Sequence, residues 1–210
     1  MTSMSFNKVI HHAVLRDLER IEKGLRAMPD GDTKRAGEIG RTWDHFRFEL
    51  ENHHEGEDDL IWPYLKSVGI DTTLVDTMAS EHQDLAAALA EAGTAIDGVR
   101  GTGSAATATQ AAGSVAEAHT VIRHHFEHEE NELEPLMAPY LETPEFKAVE
   151  KQLRAGMSKK EAGWFFAWLH DGAGPEELAF LGSMMPGPVM FMISKGLGRG
   201  YQREIASLWA

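Results

Sequence analysis

The chain has 210 residues, 42% hydrophobic and 25% charged, with 33 Asp+Glu against 20 Lys+Arg for a net charge of −13. That apolar share supports a core and excludes a disordered chain, while the acidic balance excludes a nucleic-acid binder, which needs a basic face against phosphates. The absence of cysteine removes disulfide scaffolds, thiolate zinc sites, iron–sulfur ligation and thiol catalysis.

No run approaches the ~18 apolar residues of a spanning helix, and no apolar leader follows the first residues, so a cytoplasmic protein without a membrane span is expected. Alternation of period two is absent. Gly/Pro/Asp clusters at 28–32, 67–71 and 99–103 punctuate stretches of period 3.6. They leave helices near 5–28, 33–66, 72–98 and 104–138. Short connections join antiparallel neighbours, so the expected fold is all-α: an antiparallel up-down-up-down four-helix bundle over residues 1–140.

Residues 141–210 read as a helical C-terminal extension packing on the bundle or on a second copy in a homodimer. Thr143 followed by Pro144 is a helix start, and Ser158-Lys159-Lys160-Glu161 has the form of a capping box. An aromatic run, Trp164-Phe165-Phe166-Ala167-Trp168-Leu169, follows. Breaks come at Gly174-Pro175 and Pro186-Gly187-Pro188, before a last amphipathic stretch.

The inward seam of each bundle helix shows apolar residues at alternating three- and four-residue spacing. On the first helix it runs through position 11, Val14, Leu18, Ile21 and Leu25, and position 11 is His11. On the second it runs Ile39, Trp43, Phe46, Leu50, then 53, 57, Leu60 and Tyr64, and the two interruptions are His53 and Glu57. The third has His82 between Met78 and Leu85, and the fourth has His125 and Glu129 between Ile122 and Leu136. Six polar groups on four apolar seams are expensive unless satisfied.

His53 and Glu57 are separated by about 40° of rotation and about 6 Å of rise, so both point inward one turn apart. The arrangement repeats. His53, Glu57 and Pro63 recur 72 residues later as His125, Glu129 and Pro135, and His11 recurs 71 residues later as His82. Such a pseudo-twofold pattern places six groups around one point.

Four imidazoles and two carboxylates suit a pair of first-row metals rather than calcium or magnesium, which prefer oxygen cages. Bundle cores with inward Glu and His build di-iron or di-manganese sites. The expected cofactor is therefore a pair of such ions, two iron ions or two manganese ions, with an oxo or hydroxo bridge and the two Glu bridging as well. Manganese or zinc would fit the same donors. Six ligands leave positions open for small diatomic or peroxide ligands.

The segments His11-His12-Ala13-Val14-Leu15-Arg16-Asp17-Leu18, His53-His54-Glu55-Gly56-Glu57-Asp58-Asp59-Leu60-Ile61-Trp62-Pro63, Glu81-His82 and His125-Phe126-Glu127-His128-Glu129-Glu130-Asn131-Glu132-Leu133-Glu134-Pro135 resemble the hemerythrin-like, HHE cation-binding family over residues 5–140. The resemblance implies a non-haem di-iron site with His11, His53, Glu57, His82, His125 and Glu129 as ligands. Oxygen-carrying hemerythrins use five histidines and two carboxylates. The count of four and two here implies a more open site that reacts with or senses dioxygen, peroxide or nitric oxide. A peroxide-decomposing enzyme at the same centre is one alternative. A non-catalytic metal-binding or storage protein, its tail engaging a partner, is another.

Other histidines are expected elsewhere. His12 and His54 follow seam residues at about 100° and read as solvated, as does His45 beside Glu49. His124 and His128 share a polar face. Asp58, Glu130 and Glu134 read as members of solvated acidic faces.

Overall fold

The computed structural model describes residues 4–184, 187 and 192–209, and the described residues are helical with no strand. Four long helices carry the bundle: α1 (Phe6–Arg26), α2 (Thr33–Gly56), α4 (Thr72–Thr102) and α5 (Ala105–His128). Each packs on two others in a closed ring, α1 on α2 and α5, and α4 on α2 and α5. Short helices α3 (Trp62–Ser67) and α6 (Glu134–Met137) prolong α2 and α5. The extension holds α7 (Pro144–Ala155), α8 (Lys159–His170), α9 (Pro175–Met184) and α10 (Arg199–Glu204). The expected break at Pro186 and Pro188 lies outside the described residues.

The helix boundaries follow local chemistry. Ser5, Asp32, Asp71 and Ser104 each accept a backbone N–H of the first turn of α1, α2, α4 and α5. Thr143 does the same for α7, and Ser158 with Glu161 closes the capping box of α8. The third bundle helix runs four residues past its expected end because the chain turns left-handed only at Gly103, with φ of 62°.

Two apolar clusters bracket the middle of the inward seam. The main core holds Val14, Leu18, Phe46, Leu50, Leu85, Ile122 and their neighbours. A smaller cluster of Ile61, Trp62, Leu65, Val75, Met78, Leu133 and Phe146 closes the end where α3, α6 and α7 meet. The inward histidines and glutamates lie along the same helices between these two clusters, in surroundings that strengthen any electrostatic interaction made there.

The extension joins the main core through Trp168, Leu169, Leu181, Tyr201 and Ile205. Polar contacts fix its docking: the Trp168 indole N–H donates to Asp17 at 2.7 Å, Arg20 meets Asp171 at 2.6 Å, and the Tyr201 hydroxyl donates to Asp171 at 2.8 Å. Farther along, the Trp209 indole lies under Arg35 at 4.6 Å and donates to Thr42 at 3.3 Å. Gly24 makes room for it, since a β-carbon there would meet the Trp209 ring at 3.0 Å.

The extension overturns the solvated reading of His45. It is 8% exposed, with Trp164, Trp168 and Tyr201 around its ring, and its Nε2 is 3.3 Å from Glu49. The face that α2 shows away from its seam is covered by α8 and α10, whose docking no local pattern announces. Burial lowers the His45 pKa to about 4 and raises the Glu49 pKa to about 8.

Glu49 thus stays protonated in the fold while its unfolded counterpart ionises above its ordinary value of 4.5. The sign follows by linkage: folding is unaffected by this group below that value and loses stability as pH climbs toward the folded value. Each pH unit in that window costs about 1.4 kcal/mol. Glu49→Gln is therefore expected to raise the melting temperature by several degrees at pH 8 and hardly at all at pH 4.5. Thermal melts at the two pH values check it; an equal shift at both refutes the linkage.

Candidate metal centre

Seven side chains converge in two groups whose donor atoms lie within 4.8 Å of one another: His54, Glu57, His82 and His125 in one, His11, His53 and Glu129 in the other. Nε2 of His82 and His125 face each other at 3.1 Å, and Nε2 of His11 and His53 at 3.3 Å. Glu57 lies between the groups, with Oε1 at 3.4 Å from His53 Nε2 and Oε2 at 3.5 Å from His82 Nε2. Glu129 sits with the smaller group. Its Oε2 is 3.3 Å from His11 Nε2, while Oε1 accepts from the Asn7 amide at 2.9 Å. All six residues singled out from the sequence are brought together here.

Both glutamates open a π-helical turn, Glu57–Ile61 and Glu129–Leu133. The turns close by bonds five residues long, from Trp62 N–H to the Glu57 carbonyl and from Glu134 N–H to the Glu129 carbonyl. Their cause is the proline that follows each one. Pro63 and Pro135 have no N–H to give, and their rings would crowd the carbonyl four residues back; a wider turn relieves both. The extra residue also shifts the seam. Ile61 and Leu65 are buried where Leu60 and Tyr64 were expected, and Leu133 is buried while Leu136 is 42% exposed.

His54 is the residue that seam reasoning missed. It is buried, belongs to the larger group, and stacks on His82 with centroids 4.1 Å apart and planes at 18°. The physical reason is that α2 faces α1 and α4 together, so its inward arc is wider than one residue. His53 turns toward His11 on α1 and His54 toward His82 on α4. The donor count becomes five imidazoles and two carboxylates, and the expectation of a site more open than that of an oxygen carrier falls with the count of four.

The 72-residue offset places Phe126 opposite His54. Phe126 stacks on His11 at 3.6 Å and 6°, as His54 stacks on His82. One half of the site thus has an imidazole where the other has a benzene ring. This substitution leaves the group of His11, His53 and Glu129 one donor poorer.

Three of the histidines are held from behind. His11 Nδ1 meets Glu130 at 2.8 Å, His82 Nδ1 meets Asp58 at 3.0 Å, and His125 Nδ1 meets Glu81 at 2.8 Å. The other Glu81 oxygen meets His128 Nδ1 at 2.7 Å. Asp58 and Glu130 are therefore not merely solvated, and Glu134 likewise accepts from Ser5 at 2.7 Å and pairs with Lys8 at 3.4 Å. His12 and His124 are exposed as expected. His128 is turned away from the centre toward Glu81.

The donor set fits cations. A carboxylate on Nδ1 fixes the proton there, so the Nε2 lone pairs of His82 and His125 point at each other. His54 Nε2, Glu57 Oε2 and Glu129 Oε2 are buried without a hydrogen-bond partner, a cost that bound ions would remove. Burial, reinforced by neighbouring imidazoles, drives His53 down to about 3 and His54 well below the ordinary histidine value. Burial and the adjacent Glu129 hold Glu57 protonated; burial would raise Glu129 too, but His11, His53 and His125 outweigh it and keep Glu129 ionised. Neutral imidazoles are the form that ligates metal. Beside this centre, the buried Trp62 indole stacks on His82 at 6.0 Å.

Among known proteins, the family described as hemerythrin HHE cation binding domain matches residues 7–137, a span that contains all seven converging side chains. No curated protein and no solved structure matches the chain.

Proposed function

Because the chain belongs to the hemerythrin HHE cation binding domain family, we propose that it is a non-haem di-iron protein that binds or reacts with dioxygen, peroxide or nitric oxide in redox sensing or defence. This reading takes the four long helices as an antiparallel up-down-up-down bundle. In support, the start of α1 and the end of α2 both reach the donor cluster, through His11 and His53.

The observation that carries the proposal is the unequal pair of donor groups around a shared carboxylate. His54, Glu57, His82 and His125 would hold one ion; His11, His53 and Glu129 would hold the other, with Glu57 reaching both. Iron held by these residues would supply redox chemistry toward a small ligand. The chain's own part is to make the ends unequal. Phe126 covers one face of His11 with an apolar ring that gives no donor, so the smaller group would offer its ion fewer ligands. The bracketing apolar clusters keep bulk water away, and Asn7 holds one Glu129 oxygen in place. Within this machinery no side chain suggests recognition of a larger organic substrate.

Iron-loaded protein is expected to contain two irons per chain and to show near-ultraviolet and visible bands that change on adding azide, peroxide or nitric oxide. A protein that retains less than one metal ion after iron supply, or whose spectrum ignores all three ligands, refutes the proposal. Catalytic loss of peroxide would point instead to the enzyme reading, and metal content without any ligand response to storage.

A further inference from the structure

Resting on the metal-centre reading above, we propose that Asp58, Glu81 and Glu130 are positioning residues of the centre, which aim the Nε2 atoms of His82, His125 and His11 inward and favour the more oxidised state of the metals they hold. Three observations lead there. Every one of the three contacts is made at Nδ1, at 3.0, 2.8 and 2.8 Å, while the opposite nitrogen of each ring faces the cluster. Each carboxylate is paired with the imidazole at close range, and each of these pairs joins two different helices. And two of the three stand at related places, 72 residues apart, each directly after the glutamate that opens a π turn.

That last point gives the widened turns a purpose. In them Glu57 and Glu129 face the centre while the very next residue, Asp58 or Glu130, reaches the back of a histidine on a different helix. Asp58 reaches His82 on α4, and Glu130 reaches His11 on α1. The third contact breaks the symmetry. Glu81 precedes His82 and reaches His125, but the residue preceding His11 is Ile10, buried in the main core. The larger donor group therefore has two braced imidazoles and the smaller has one.

Bracing of this kind fixes the imidazole tautomer, removes rotational freedom that binding would otherwise have to freeze, and makes the ligating nitrogen a stronger donor. The added negative charges lie one ring beyond the ions. Charge at that distance in a low-dielectric interior stabilises a trivalent ion more than a divalent one. Glu81 is the most firmly placed of the three, since His128 at its second oxygen holds it on His125 from the solvent side.

The test uses the full chain and three variants, Glu81→Gln, Glu81→Ala and Asp58→Asn, with two readouts: a cobalt(II) titration of the metal-free protein and the midpoint potential of the iron-loaded protein. Wild type is expected to bind two cobalt ions with the first tighter than the second. Glu81→Ala is expected to weaken the first about 10- to 100-fold, the range for outer-shell partners. Glu81→Gln keeps an acceptor for Nδ1–H but loses the charge, so it is expected to bind more nearly as wild type does while its potential moves positive. Asp58→Asn should shift the potential in the same direction. Affinities within twofold of wild type for all three, with unchanged potentials, overturn the inference and leave the metal reading standing. A wild-type chain that binds no cobalt and retains no iron defeats the metal reading and this inference with it. Glu81 is partly exposed, its side chain at 19%, so misfolding is not expected, and the circular dichroism melt of each metal-free variant checks that.

Discussion

Glu57→Ala is expected to empty both metal positions, whereas His53→Ala should empty only one. Glu57 turns one oxygen toward each donor group, at 3.4 Å from His53 and 3.5 Å from His82. Removing it takes a carboxylate from each ion at once and leaves mainly neutral imidazoles around two cations. The loss should exceed the 10- to 100-fold that outer-shell partners command. His53 belongs to the smaller group alone, so its loss leaves the larger set intact. Elemental analysis of the two variants after iron loading is expected to give no iron for Glu57→Ala and one ion per chain for His53→Ala. Two ions in Glu57→Ala would show that the carboxylate does not join the groups.

Phe126→His is expected to preserve both ions and to weaken the binding of small ligands at least tenfold. Phe126 occupies in one half of the structure the place of His54 in the other, and each ring stacks on the inward histidine of a neighbouring helix, His11 on α1 and His82 on α4. An imidazole there supplies the donor that the smaller group lacks. The new ring is polar in a fully buried position, so the metal-free variant should melt lower, by the cost of an unpaired polar group in the core. Metal should return most of that stability. The expected reading is a binding constant for azide at least tenfold weaker than wild type, measured by optical titration, with two irons still present. Unchanged azide binding would place small-ligand binding somewhere other than beside Phe126.

Much of this was legible because burial leaves a periodic trace. His11, His53, Glu57, His82, His125 and Glu129 stand out as polar interruptions of apolar seams, and the seams also fix the four bundle helices to within a few residues at each end. His54 did not stand out, since an ideal single-file seam puts the next residue about 100° away. The signal was nonetheless present: its counterpart at the 72-residue offset is Phe126, an apolar residue at a place that a solvated face would not favour. The π turns were hidden because seam reading assumes a constant 3.6 residues per turn; the repeated Pro63 and Pro135 were their mark. Asp58 and Glu130 were lost with them. His45 and Glu49 depend on where α8 and α10 dock, which is a tertiary matter that no window of sequence records.

The two halves of the bundle differ at the centre in few positions, among them 54 against 126 and 10 against 81. A chain of half this length, one hairpin with one inward histidine and its His-x-x-x-Glu turn, could not bury its own seam and would need a second copy to close around the ions. Two identical copies would offer both ions the same donors, and neither would be marked as the one that meets an incoming molecule. Joining the halves in a single polypeptide frees positions 54 and 126 to differ. Which ion would be caged and which approached would then rest chiefly on that pair, beside the unequal bracing that Glu81 and Ile10 set.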